Sequence, residues 1–94
     1  MTGDVEVKGV PEGYREIKLG MTNFDHTIDA CFEERLRNEQ VWGRHWALDF
    51  NGRVWFEDGM FHEQVWRYGA PRAYFAASTL SGLMETVSDA YGWE

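Results

Sequence analysis

Imidazole and carboxylate side chains are the groups of this chain best suited to metal binding and to acid–base catalysis. One set of three is spaced so that a helix would place its members on the same side. His26, Asp29 and Glu33 would place an imidazole and two carboxylates in one row, where a divalent metal could bind. A metal site needs three or four convergent ligands with supporting hydrogen bonds, whereas a polar row opposite an apolar stripe is typical of a solvated helix. We therefore interpret the row as a solvated face, with Glu33 and Arg37 as an i,i+4 pair, and predict no metal site.

A second set of acid–base candidates lies in the middle of the chain and consists of His45, Asp49, Glu57, His62 and Glu63. His45 and Asp49 are four residues apart on a predicted strand, about 13 Å, which is too far for a hydrogen bond. His62 and Glu63 are adjacent and point to opposite faces. Cys31 falls on the apolar side of a predicted helix, where a buried thiol is usually inert. With no Gly-rich phosphate loop and no paired-cysteine motif, the sequence predicts neither an enzyme nor a cofactor.

Residues 44–68 predict the sheet that must position these side chains, because Asn51-Gly52 and Asp58-Gly59 are strong turn signals between strand-like runs. A three-residue loop at 50–52 separates apolar from charged residues better than a two-residue loop does. We therefore expect the first two strands to have one apolar face and one face with charged residues. One holds Trp46, Leu48, Val54 and Phe56, and the other holds Ala47, Asp49, Arg53, Trp55 and Glu57.

The third strand, 60–68, has two interpretations. A two-residue Asp58-Gly59 turn puts Phe61 and Val65 on the core face and His62, Trp66 and Tyr68 beside Trp55 on the other, and a three-residue turn inverts this. Residues 69–71 then break the strand, and 72–77 form a fourth.

The flanking segments predict one helix before the sheet and one after it. A short strand at 14–19 is followed by helical periodicity over 22–38, capped by Thr22 or Asp25. Ser78 is expected to cap the last helix, whose apolar residues recur through Tyr91. The predicted class is α+β: an antiparallel meander of three to four strands with one helix before it and one C-terminal helix after it. The 94 residues predict a single domain with residues 1–13 loosely ordered.

Charge and composition limit the classes of partner that the chain is expected to bind and the compartment in which it is expected to act. Sixteen acidic residues against nine basic ones give a net charge of −7, which disfavours nucleic acid. No run approaches the roughly 20 apolar residues of a membrane helix. A single cysteine and no apolar N-terminal run predict a cytoplasmic location.

Aromatic and arginine residues on the second sheet face predict a protein-binding surface. Its expected residues are Trp55, Trp66, Tyr68, His62, Arg53 and Arg67. The leading hypothesis is a non-catalytic interaction module that binds and modulates another protein, and the acidic flanks favour a partner with basic surface. Alternatives are a homodimer that uses the same face and a small enzyme. If the helices cover both faces of the sheet, these rings belong to the core instead.

Two resemblances bear on these hypotheses. The element order resembles a double-stranded-RNA-binding domain, but residues 78–94 contain no Lys or Arg for RNA, so we reject that function. From residue 46 to 94, the segments WALDFNGRVWFEDG, FHEQVW and YGWE resemble small accessory proteins of bacteriophages of actinobacteria. That resemblance implies a host protein as partner and no catalytic residues.

Overall fold

The computed structural model describes residues 6–18, 30–47 and 50–91 of the chain. These residues form five strands and two helices, in the order β1 Arg15–Ile17, α1 Ala30–Asn38, β2 Val41–Ala47, β3 Phe50–Glu57, β4 Met60–Arg67, β5 Ala70–Ala77 and α2 Leu80–Tyr91. The strands make one sheet in sequence order, in which β1 runs parallel to β2 and the other neighbours are antiparallel. The α+β class is confirmed.

The sheet differs from the predicted meander of three to four antiparallel strands in two respects: it has five strands, and β1 pairs in parallel whereas β2 to β5 are antiparallel. β1 pairs Arg15 with Val41 and Ile17 with Gly43 in parallel register. Parallel neighbours cannot be joined by a tight turn and need a longer crossover, and here α1 lies in that crossover. The first part of the helix predicted over 22–38, including both cap candidates, lies outside the described residues.

The turn predicted at Asn51-Gly52 is wrong. Ala47 pairs with Phe50, so the connection between β2 and β3 is residues 48–49, and Gly52 lies inside β3 opposite His45. This register also moves Trp46, which was expected with Val54, to the face that holds Arg53 and Trp55. The reason is steric, because a Cβ atom at Gly52 would lie 1.8 Å from Glu63 Oε2, so only glycine fits at this point of the strand.

The turn predicted at Asp58-Gly59 is confirmed. Glu57 pairs with Met60, and the two turn residues have φ of 54° and 79°, which both central positions of a type I′ turn require. A similar pair, Tyr68 (φ 54°) and Gly69 (φ 76°), joins β4 to β5. Tyr68 is therefore a turn residue, and β5 begins at Ala70 rather than at Arg72.

The cap of α2 is Thr79, not Ser78. Thr79 Oγ1 accepts a hydrogen bond from the backbone N–H of Gly82 at 3.0 Å, which satisfies a donor of the first helical turn. The helix then packs Leu80, Leu83 and Val87 against the sheet, as the apolar periodicity predicts.

The sheet has two unlike faces. Both helices pack on one, the helix face, and enclose a core made of Ile17, Leu36, Val41, Val54, Phe61, Val65, Leu80, Leu83 and Val87. The other, the far face, carries Trp42, Arg44, Trp46, Arg53, Trp55, His62, Gln64 and Trp66, as the register requires. Phe61 and Val65 are buried in the core, which confirms the first interpretation of the third strand.

Candidate interaction surface

Five side chains of the far face alternate aromatic rings with guanidinium groups, and we call them the Trp/Arg row: Trp42, Arg44, Trp46, Arg53 and Trp66. The Arg44 guanidinium carbon lies 5.3 Å from the ring centroid of Trp42 and 5.7 Å from that of Trp46. The Arg53 carbon lies 5.3 Å from Trp42 and 5.5 Å from Trp66. These distances are within the range of cation–π attraction, so each guanidinium is held by two rings.

Strand geometry produces this row. Side chains two residues apart share a sheet face, so 42, 44 and 46 project together from β2, while Arg53 stands directly opposite Arg44 on β3. Like charges directly opposite are destabilising. The tryptophan rings beside the guanidiniums, and the Glu16 carboxylate that binds Arg44 Nε at 2.8 Å, offset that repulsion.

The row is partly open to solvent. Trp46 is 52% exposed, and Trp42, Arg44, Arg53 and Trp66 are half-buried. The aromatic residues are thus anchored by packing on the sheet and still present area to a partner.

Residues 6–14, the N-terminal segment, cross the rest of the far face. The buried side chain of Gln64 holds this segment: its Oε1 accepts from the Lys8 backbone N–H at 2.7 Å, and its Nε2 donates to the carbonyls of Glu6 and Ala73. Tyr14 adds a hydrogen bond from its hydroxyl to the Phe56 carbonyl. The segment expected to be loosely ordered is therefore hydrogen-bonded to the sheet from Glu6 onward.

Two tyrosines near this segment have shifted acidity. Burial raises the pKa of Tyr14, and the carboxylates of Glu57 and Asp58 raise it further. Burial likewise raises the pKa of Tyr74, although the Lys8 ammonium opposes the shift. Both phenols therefore keep their protons to a higher pH than free tyrosine does.

Two of the predicted partner-binding residues, Trp55 and His62, lie in the covered part of the far face. Trp55 is 0% exposed and His62 is 6% exposed, and their rings stack on one another with centroids 5.4 Å apart. His62 also bonds the hydroxyl of Tyr74 and the carbonyl of Glu57. Neither ring is accessible in the monomer, so both support the surface from within.

The other predicted residues have different positions. Arg53 and Trp66 belong to the Trp/Arg row. Tyr68 is 73% exposed in its turn, with the Arg67 guanidinium 5.2 Å from its ring centroid. The predicted set is thus divided between the Trp/Arg row, the turn beside it and the covered layer, by which we mean the buried far-face residues Trp55, His62 and Gln64.

Sequence reasoning placed Trp42, Arg44 and Trp46 outside the binding surface, although a signal for them exists. The segment WGRHW alternates with period two, which puts both tryptophans and the arginine on one face of a strand. The wrong turn at Asn51-Gly52 obscured this pattern, because it assigned Trp46 to the core.

The acid–base candidates also form one pair that was not foreseen. His45 Nδ1 lies 2.9 Å from Glu63 Oε2 and 3.2 Å from Oε1, although the two residues belong to strands β2 and β4, which are not neighbours. The Glu63 side chain passes over Gly52 of the intervening strand to reach the imidazole. His45 is 2% exposed and Glu63 is 0% exposed, so the pair lies inside the core without access for a substrate.

The remaining candidates give no further cluster. Glu33 bonds Arg37 at 3.4 Å, which confirms the predicted i,i+4 pair, while His26, Asp29 and Asp49 lie outside the described residues. Cys31 is exposed, and its predicted place on the apolar side of the helix is wrong.

Across residues 6–18, 30–47 and 50–91, no group of three or more metal-ligating side chains converges. None of the helices described is long and apolar enough to cross a membrane.

Comparisons with known proteins give no match: no family model matches the chain, and neither a curated protein nor a solved structure matches it significantly. The surface must therefore be interpreted from its own geometry.

Proposed function

We propose that the protein is a non-catalytic interaction module that binds a protein partner through the Trp/Arg row. The observation that carries this proposal is the alternation of three tryptophan rings and two guanidiniums on the uncovered part of the far face. Tryptophan and arginine are the residues most enriched at binding hot spots, and rigid side chains lose little entropy when a partner orders them. Tyr68, exposed in the adjoining turn, extends the surface.

The covered layer supports this function indirectly. Trp55, His62 and Gln64 fix the sheet and the N-terminal segment beside the row, so the row stands on a rigid base. A partner then meets a preorganised surface, which reduces the free-energy cost of binding. The likeness of residues 46–94 to accessory proteins of actinobacterial phages suggests a host protein as that partner.

Capture from an actinobacterial lysate tests the proposal, with a Trp46→Ala, Arg53→Gln double variant as the negative bait. An Arg72→Gln variant is the matched control, because Arg72 is exposed on β5 and lies outside the row. Circular dichroism first establishes that all three baits are folded. We expect a protein that wild type and Arg72→Gln retain and the double variant loses, followed by direct binding of that purified protein. Equal retention by all three baits would contradict the proposal.

A homodimer through the same face is the second candidate, since most soluble oligomers are symmetric. A two-fold axis on the row would bring Arg44 and Arg53 of one copy against the same two residues of the other. Like charges at an interface cost several kcal/mol, so the geometry favours a different partner over self-pairing. Sedimentation velocity over a hundredfold range of concentration measures the outcome, and a dimer that Trp46→Ala abolishes would favour this candidate instead.

A further inference from the structure

The two guanidiniums of the row have matched surroundings and different charge partners. Arg44 and Arg53 each lie beside two tryptophan rings, and they share Trp42. Arg44 is bonded to the Glu16 carboxylate at 2.8 Å. Among the residues that the structure describes, no carboxylate pairs with Arg53.

The surroundings of Arg53 contain further unmet hydrogen-bonding capacity. Arg53 Nε and the neighbouring Trp66 Nε1 are buried and find no acceptor in the described parts of the chain. Such donors are uncommon in folded proteins and cost free energy. Within the described residues, the row therefore has one guanidinium that pairs with a carboxylate, Arg44, and one that does not, Arg53.

We propose that the partner supplies a carboxylate to Arg53, as part of a short acidic segment that lies along the Trp/Arg row. This inference rests on the proposed function and specifies the partner's chemistry. It differs from the partner with basic surface that the acidic flanks favour, because the row itself carries two guanidiniums. The Glu16–Arg44 pair shows within the same molecule which group such a guanidinium takes. With rings beside it, the Arg53 guanidinium offers its outer N–H groups, and a carboxylate matches their paired geometry.

The charge distribution distinguishes this partner from a nucleic acid. Nucleic-acid affinity depends on many phosphate contacts along a cationic track, and the net charge of −7 repels a long polyanion. Two guanidiniums, one of them already occupied, suit one or two carboxylates. The tryptophan rings then contact the apolar side chains of the same segment.

Selection from a displayed library of random 12-residue peptides tests the inference on the full chain. The library is selected on wild type and counter-selected on Arg53→Gln and, separately, on Trp46→Ala, with Arg72→Gln as the control for loss of one positive charge. A single-stranded oligonucleotide is titrated against wild type in parallel. Each variant changes one partly or fully exposed side chain of the sheet, and thermal melts establish folding before selection.

We expect wild-type binders to be enriched in Asp and Glu, to persist on Arg72→Gln, and to be lost on Arg53→Gln. In the best peptide, changing the critical Glu to Gln should weaken binding to wild type about tenfold, and should have little effect on Arg53→Gln.

Three other outcomes overturn the inference in distinguishable ways. Binders that depend on Trp46 but not on Arg53 and carry no acidic enrichment leave the proposed function standing and exclude the carboxylate. Tight binding of a single-stranded oligonucleotide, with no acidic peptides, assigns the row to phosphate. If no peptide depends on either Trp46 or Arg53, the interaction function fails together with the inference.

Discussion

The two faces of the sheet deal with polar groups in opposite ways. On the helix face, His45 and Glu63 are buried and satisfy one another in the core, 2.9 Å apart. On the far face, Arg44 and Arg53 stay half-buried between tryptophan rings, and of the two only Arg44 pairs with a carboxylate among the residues that the structure describes. A buried pair that bonds internally stabilises one arrangement of strands, whereas a partly exposed cation beside aromatic rings leaves capacity for another molecule.

Removal of one member of the buried pair should have the largest effect on stability. His45→Ala removes the imidazole that bonds the buried Glu63 carboxylate, and Glu63→Ala removes the carboxylate that bonds the buried imidazole, so each should lower the free energy of unfolding by about 3–5 kcal/mol. Urea denaturation measures this. The double variant should cost less than the sum of the two, because the two side chains bond each other and the two losses are therefore coupled. Additive losses would mean that the two residues act independently.

Gly52→Ala is expected to cost about 3 kcal/mol, because its Cβ would lie 1.8 Å from Glu63 Oε2 and 2.6 Å from Cδ. Gly9→Ala is the matched control, since no atom lies within 4 Å of a Cβ at that position. In a Glu63→Ala background the Gly52→Ala penalty should shrink, because the clashing carboxylate is gone. A penalty that stays unchanged there would contradict the steric account.

On the far face, Gln64→Ala should cost about 2 kcal/mol, because it removes the partner of the Lys8 N–H and of the Glu6 carbonyl and leaves a gap where a buried side chain was. Hydrogen exchange measures the local effect: the Lys8 amide should exchange faster, while amides of β3 should change only in step with global stability. Unchanged protection of Lys8 would show that the segment is held by other contacts.

Changes in the Trp/Arg row should abolish partner binding and have little effect on stability. Trp46→Ala and Arg53→Gln should each change the free energy of unfolding by less than about 1 kcal/mol, since both side chains are partly exposed. Thermal melts measure this beside the capture experiment. A loss as large as that of Glu63→Ala would place the row in the core rather than on a binding surface.

The smallest expected effect is a pH dependence of the far face. The folded-state pKa of both Tyr14 and Tyr74 is raised above the ordinary value of 10.0. Below about pH 10 the folded and the unfolded protein both keep these protons. At higher pH the unfolded chain ionises first, so the free energy of unfolding falls as pH rises through the folded-state pKa. Melts between pH 9 and 11 should therefore decline less steeply for a Tyr14→Phe, Tyr74→Phe double variant. Equal slopes would exclude a contribution from these phenols.

Local signals predicted the parts of the fold that depend on neighbouring residues. Asp58-Gly59 specified its turn because two residues with positive φ are adjacent in sequence, and the apolar spacing of α2 predicted its buried side. The same reasoning failed at Asn51-Gly52, because a glycine that forms a turn and a glycine that admits a distant carboxylate look alike in sequence. The Glu63 contact that distinguishes them comes from a strand further along the chain.

The candidate surface was predictable to the extent that strand register was. Arg53 and Trp66 were assigned to a common face with Trp55, and the structure places all three there. Trp42, Arg44 and Trp46 were missed because one wrong turn reverses every side chain of a strand. The attachment of the N-terminal segment to the far face rests on the hydrogen bond between Lys8 and Gln64, two residues 56 positions apart, and no local pattern contains such a contact.

The passage of Glu63 over Gly52 also bears on how the chain finds its native alignment. A slip of β3 by two residues keeps the same side chains facing the helices, so the hydrophobic pattern alone does not reject it. Such a slip would put residue 50 or Val54 at the crossing point, where a side chain would block the carboxylate from His45. Of these alignments, only the native one lets the pair form, so the position of the glycine favours the native strand register over a two-residue slip.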